Sequence, residues 1–230
     1  MTMSNNSNLK PTIGIIGGTG KEGKGLAYRW AKSGYKIIIG SRQLEKAENA
    51  AREVKIIIGE NANVCGKVNT DTANEADVIV LTVPFSGHQE MLNQLKPHIQ
   101  GKILIDVTVP LVPPQVTKVQ MPEAGSATLE SKRILGEGVQ VLAAFQNISY
   151  ENLLDTEEVD CDILVCGGNK ESRETVLILV QNAGLTGWDA GPIENSVVLE
   201  GFTSILIGIN KKYGSKSAGI KITGVSKKDA

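Results

Sequence analysis

Gly18, Gly20 and Gly23 stand in the spacing G-x-G-x-x-G, directly after the apolar run Ile13-Gly14-Ile15-Ile16-Gly17. A strand that ends in closely spaced glycines and turns into a helix brings backbone N–H groups to face a phosphate. On this spacing Gly18 takes the tight turn, Gly20 lets the main chain approach a pyrophosphate, and Gly23 lets the helix close on the strand. The stretch from Gly18 to Lys24 also reads G-x-x-x-x-G-K, the phosphate loop of nucleoside triphosphatases, but Gly25 stands where a Ser or Thr hydroxyl should hold Mg²⁺. The dinucleotide pattern is the better fit.

Ser41 and Arg42 follow the next apolar run, Tyr35-Lys36-Ile37-Ile38-Ile39-Gly40, at the distance from the glycines where an acid would bind the ribose 2′-hydroxyl of NAD. A hydroxyl and a guanidinium suit a 2′-phosphate, which an acid would repel, so NADP is the expected dinucleotide. Lys46, four residues beyond Arg42, places a second positive charge on the same helical face.

The elements that must position these residues follow from periodicity. Leu26, Ala27, Trp30 and Ala31 form one helical stripe, with Gly34 as its stop. Gln43 to Val54 reads as a second helix and Ile56-Ile57-Ile58 as an apolar segment before the break at Gly59. A strand is expected over 64–68, a capped helical turn over 70–76, and a central strand over 77–84, ended by Pro84. In an open α/β sheet the ligand borders the carboxyl ends of the strands, so Thr82 to His88 should face the cofactor. Residues 102–110 repeat that logic. The proline-rich stretch from Leu111 to Pro122 is a candidate lid. A helix over 124–135 and a strand over 139–145 complete the first unit, and beyond residue 150 come a strand, a helix, a short strand and a long apolar helix over 193–212. That last helix is apolar on more than one face, which suggests burial or a dimer contact.

These patterns predict an α/β protein: a Rossmann-type doubly wound parallel sheet with a smaller C-terminal α/β domain. The divisions expected are a disordered tail over 1–10, an NADP-binding domain over 11–150, and a small domain over 151–230 that completes the crevice. The 230 residues carry a formal net charge of −1, 41% hydrophobic and only 4% aromatic residues. That balance points away from nucleic acid and toward an aliphatic core. The polar start has no apolar signal region and no stretch reaches membrane-span length, so a cytoplasmic protein is expected. Three cysteines and two histidines form no metal-ligand spacing. The last twenty residues hold Lys211, Lys212, Lys216, Lys221, Lys227 and Lys228 against the one acid Asp229, which reads as a solvated tail or as a basic lip for a polyanionic substrate.

The run Ile15-Ile16-Gly17-Gly18-Thr19-Gly20, the pair Ser41-Arg42 with Lys46, Leu81-Thr82-Val83-Pro84, Asp189-Ala190-Gly191-Pro192 and Ala218-Gly219-Ile220-Lys221 together resemble the F420-dependent NADP reductases. The resemblance implies reversible hydride transfer between NADP(H) and the deazaflavin coenzyme F420 in a homodimer. By position it implies that Thr19, Gly20, Lys21 and Glu22 cradle the pyrophosphate and that Ser41, Arg42 and Lys46 hold the 2′-phosphate. Val83, Pro84 and His88 would then lie beside the nicotinamide, with a possible positioning role for His88, while Leu111, Asn147 and Ala218 line the shared crevice. Where relatives carry a histidine-containing segment, this chain has Ala144-Phe145-Gln146-Asn147-Ile148. Gln146 and Asn147 can hydrogen-bond a ring carbonyl but carry no imidazolium charge. Because donor and acceptor are both cofactors, no side chain is expected to act as nucleophile or general acid. The competing functions are an NADPH-dependent reductase of another small acceptor, such as an imine, a flavin or a metal chelate, and a non-catalytic NADP(H)-sensing regulator.

Overall fold

The computed structural model describes residues 10–154 and 159–225. The expectations for the N-terminal tail up to residue 9 and for Lys227, Lys228 and Asp229 lie outside the described residues. The apolar β-branched runs form strands at the heart of the sheet: β1 (Ile13–Ile16), β2 (Ile37–Ser41), β4 (Val78–Leu81) and β5 (Ile103–Asp106) are buried along almost their whole length, as parallel strands covered on both faces must be. With β3 (Val64–Val68), β6 (Gln140–Ala143), β7 (Asp162–Gly167) and β8 (Thr186–Asp189) they make one eight-stranded sheet in the order β3-β2-β1-β4-β5-β6-β7-β8. All neighbours pair in parallel except β6 and β7. The boundary expected near residue 150 therefore falls where the sheet reverses direction, and β7 remains hydrogen-bonded to β6 across it.

The helices are α1 (Lys21–Lys32), α2 (Leu44–Ile58), α3 (Asn69–Glu75), α4 (His88–Leu95), α5 (Ala127–Leu135), α6 (Tyr150–Leu154), α7 (Lys170–Asn182) and α8 (Ser196–Tyr213). Alternate strand residues feed opposite sides of the sheet: Ile13 and Ile15 join the larger apolar cluster with Leu26, Trp30 and Phe145, whereas Ile16 joins the smaller one with Leu92, Leu95 and Leu104. The stripe expected on α1 is buried as predicted.

Helices α2, α4 and α6 differ from the sequence expectation. Helix α2 runs on through Ile56 and Ile57 to Ile58, leaving Ile56 74% exposed, and the break falls only at Gly59. The segment after Pro84 enters α4 at His88, and a short α6 precedes β7; neither helix is long enough to announce itself by period. The proline-rich stretch lies along α8: a β-carbon at Gly201 would be 3.6 Å from Met121 Cε and 3.7 Å from Val119 Cγ1, and one at Gly208 would be 3.8 Å from Thr117 Cβ. No helix among the described residues is long and apolar enough to cross a membrane.

Candidate active site

Strand β1 has β2 on one side and β4 on the other, so chain order reverses there and a crevice opens beyond the carboxyl ends. The turn after β1 is built by four glycines with distinct duties. Gly17 is the left-handed residue, with φ +70°, and a β-carbon on it would lie 2.7 Å from Val83 Cγ1. Gly18 was expected to take that tight turn. It instead packs under the helix, where a β-carbon on Gly23 would be 2.5 Å from Gly18 Cα. A β-carbon on Gly20 meets nothing within 4 Å, so the main chain there is open to a ligand. Gly20 is also the N-cap of α1 and has no side chain to cap it, which leaves first-turn N–H groups without a side-chain partner. Gly25, which spoils the triphosphate pattern, has a packing reason: a β-carbon would lie 2.7 Å from Leu153 Cβ on α6.

A cleft of about 470 Å³ runs from this turn across the tip of β2 to α4. It brings together Thr19, Ser41, Arg42, Lys46, Val83 and Pro84 of the residues read from sequence. Ser41 is buried and its Oγ accepts the Gln43 N–H at 3.3 Å, shaping the entry to α2, while Arg42 and Lys46 are exposed and their charges face solvent at the cleft. The sequence reading missed Gln43, Asn69 and the α4 side chains Glu90, Met91 and Gln94, which form the rest of the wall. Asn69 braces the turn, its Oδ1 accepting the Gly17 N–H at 3.3 Å.

Several expected cleft residues stand elsewhere. The Lys21 ammonium donates to Tyr150 Oη at 3.1 Å and lies 4.4 Å from that ring's centroid, in a second hollow between α1, α2 and α6. Glu22 is half-buried, yet its carboxyl oxygen Oε1 is out of solvent with no hydrogen-bond partner, and burial pushes its pKa up to about 8. His88 does not line the cleft: its ring is fully buried, with Nε2 2.8 Å from Asp106 Oδ2 and Nδ1 3.0 Å from Glu130 Oε2. It is a structural hub, reached through Phe85, whose ring lies tilted at 5.8 Å.

Leu111, Asn147 and Ala218 are likewise not among the described residues on that cleft's walls. Leu111 closes a turn onto Val109 O at 2.7 Å, and the Ala218 N–H donates to Asn210 Oδ1 at 3.0 Å, folding the C-terminal segment back on α8. Asn147 is buried beside Gln146. Gln146 Nε2 donates to Asp106 O and Asn147 Nδ2 to Asp162 O, each at 2.6 Å. Because those donors are committed to backbone carbonyls, the amide orientation is fixed and the buried oxygens Gln146 Oε1 and Asn147 Oδ1 are left as unpartnered acceptors. Neither residue lies on the wall of the 470 Å³ cleft. Among the described residues no cluster of His, Cys, Asp and Glu could hold a metal ion.

The family model described as NADP oxidoreductase, coenzyme F420-dependent, matches residues 12–110, which run from the approach to β1 to the segment after β5. The F420-dependent NADP reductase of Methanocaldococcus jannaschii is 42% identical over 221 residues, covering 93% of this chain and 98% of the relative. The chain belongs to the F420-dependent NADP reductases. Within that family the Methanothermobacter thermautotrophicus protein is 37% identical, covering 94% of this chain and 97% of its own. A crystal structure from Arthrobacter sp. FB24, provisionally named an F420-dependent NADP reductase, is 21% identical with a TM-score of 0.77 over 93% of this chain and all of the other, a likeness that shows the fold. The α/β architecture of that structure is thus present here.

Proposed function

We propose that this chain transfers a hydride reversibly between NADP(H) and the deazaflavin coenzyme F420. The observation that carries it is the single cleft joining the glycine turn to Ser41, Arg42 and Lys46, in a chain of this family. The uncapped start of α1 and the open space at Gly20 fit a pyrophosphate, and the hydroxyl with two cations at the tip of β2 fits a 2′-phosphate. When bound, the nicotinamide supplies the hydride and the deazaflavin receives it. The protein binds, aligns and excludes water. Val83 and Pro84 border the nicotinamide end of the cleft, while the buried acceptors Gln146 Oε1 and Asn147 Oδ1 are suited to the imide N–H of the deazaflavin or to the carboxamide of the nicotinamide. We place the enzyme in the cytoplasm as a homodimer. The exposed Val198, Ile205 and Ile209 of α8 support a second copy covering that helix.

Purified protein mixed with NADPH and oxidised F420 should bleach the deazaflavin absorbance, and should do so far more slowly with NADH. Turnover of an imine, a flavin or a metal chelate but not of F420 would select the other reductase reading. Tight NADPH binding with no turnover of any acceptor would select a regulator.

A further inference from the structure

Beneath the crevice floor lies a charged cluster drawn from three elements. His88, the first residue of α4, meets Asp106 at the tip of β5 and Glu130 on α5 through its two ring nitrogens. Ser131 Oγ donates to Asp106 Oδ2 at 2.5 Å and lies 3.1 Å from His88 Nε2. Asp106 is fully buried, and its other carboxyl oxygen accepts the Thr108 N–H at 2.9 Å. Thr108 Oγ1 in turn donates to Val83 O at 3.4 Å, tying the tip of β5 to that of β4. The backbone carbonyl of the same Asp106 accepts from Gln146 Nε2, the bond that aims Gln146 Oε1. Asp106 therefore ties two strand tips together through its carboxylate and holds Gln146 through its backbone carbonyl.

A buried carboxylate is held only by a compensating charge and a full set of donors. Ser131 and Thr108 supply neutral donors, so the compensating charge falls to His88. Burial lowers the His88 pKa, but the carboxylates of Asp106 and Glu130 together outweigh it and the net direction is up. From α8, Glu200 bears on Asp106 from behind α5, where it accepts from Ala127 N, Thr128 N and Thr128 Oγ1; its pKa is raised to about 7, first by burial and also by the charge of Asp106. On the other side of α4, Asn69 of α3 meets Met91 through its amide. The Glu130 side chain is 22% exposed and is the cluster's opening to solvent.

We propose that His88, as an imidazolium clamped between Asp106 and Glu130, is a positioning residue that holds the tip of β5 and, through Asp106, the side chain of Gln146 in the arrangement that receives the second substrate. This rests on the hydride-transfer function above. While His88 is charged the tip is locked. Once it loses its proton the Asp106 carboxylate is uncompensated, its bonds to Ser131 and Thr108 rearrange, and Gln146 is no longer held. The cluster meets the NADP(H) cleft only along its β4 and α4 wall; the end of the cleft at the β1 turn and the tip of β2, where Ser41, Arg42 and Lys46 stand, is not among its partners.

The chain has only two histidines, and His98 lies apart, its Nδ1 2.9 Å from Asn74 Oδ1, so both imidazoles can be followed by NMR as pH is raised. In the parent, kcat/KM for F420 should fall by about tenfold or more on the alkaline side, with its midpoint at the His88 titration, while the Kd for NADP⁺ measured by calorimetry stays within about twofold. Glu130→Gln removes one of the two carboxylates. The NMR midpoint of His88 and the kinetic midpoint should then move together to lower pH, whereas a group that merely supports folding would lower Tm and leave the kinetic midpoint in place. Glu130→Asp serves as the second variant if Glu130→Gln does not fold, with a smaller shift in the same direction. Kinetic and NMR midpoints that move apart, or an imidazole that titrates without response to Glu130, would overturn the proposal. Absence of F420 turnover at every pH would instead overturn the function on which it rests.

Discussion

Gly23 closes on Gly18 so tightly that a β-carbon on Gly23 would stand 2.5 Å from Gly18 Cα and 2.9 Å from its carbonyl oxygen. The crowding is against backbone, which cannot swing aside as a side chain tip can. Gly23→Ala should therefore destabilise the fold by about 1–3 kcal/mol through overpacking and weaken NADP⁺ binding by opening the turn. Urea unfolding and calorimetry check both effects. Gly20→Ala, where the added carbon meets nothing in the protein, should leave stability within about 0.5 kcal/mol and lower cofactor affinity alone.

Arg42 faces the cleft as an exposed cation beside the buried Ser41. Arg42→Glu replaces an attraction worth roughly 1.5–3 kcal/mol with repulsion of the 2′-phosphate. The KM for NADPH should rise by about 10- to 100-fold or more, with turnover at saturating cofactor little changed. Steady-state kinetics with NADPH and NADH side by side measure it, and the preference for NADPH should shrink or reverse.

Glu22 gives the fold a pH signature. An ordinary glutamic acid titrates near 4.5, whereas burial lifts this one to about 8. Between those values the folded chain keeps a proton that the unfolded chain has released, so stability falls as pH rises across the window. The loss for Glu22 is on the order of 4 kcal/mol. Glu200 and His88 bend the curve in the same sense, the first up to about pH 7. The test is thus the difference between parent and Glu22→Gln: chemical denaturation from pH 5 to pH 9 should show a shallower decline in the variant, most plainly above pH 7.

His88→Ala should do more than slow the reaction. It leaves Asp106 buried with no positive partner, a change that costs about 3–5 kcal/mol. Thermal unfolding should record a Tm lower by about 6–20 °C.

The C-terminal segment is part of the packing. Ser149 Oγ donates to Lys216 O, Asn152 Nδ2 to Ser217 O and the Asp162 N–H to Ile220 O. Deletion from Ser215 should lower stability by about 2–4 kcal/mol as these donors lose their acceptors, so a basic lip is better probed by Lys211→Gln and Lys212→Gln on exposed positions of α8.

What was legible in the sequence was local. The glycine turn, the stripe on α1 and the Ser41-Arg42 pair lie within one βαβ unit, where spacing alone fixes which residues stand at the strand tips. The duties inside the turn were less legible: Gly17, to which the spacing assigns no duty, takes the bend and lies against Val83, far along the chain, while Gly18 lies under Gly23. His88 looked like a cleft residue from its place after Pro84, yet its partners are 18 and 42 residues away on β5 and α5, and no spacing rule reports such pairs. Helix α4, eight residues long, supplies Glu90 and Gln94 to the cleft but is too short for a periodic signal. Gln146 and Asn147 were visible as polar residues in an apolar run. Only the carbonyls of Asp106 and Asp162 reveal that their oxygens are the free ends.

The proposed reaction passes hydride directly from one bound ring to the other. NADPH carrying deuterium on the transferring face of its nicotinamide, mixed with oxidised F420 in ordinary water, should place the label in the reduced deazaflavin, as read by mass spectrometry. A reduced product bearing only solvent hydrogen, or no reduced product while NADPH binds tightly, would contradict it.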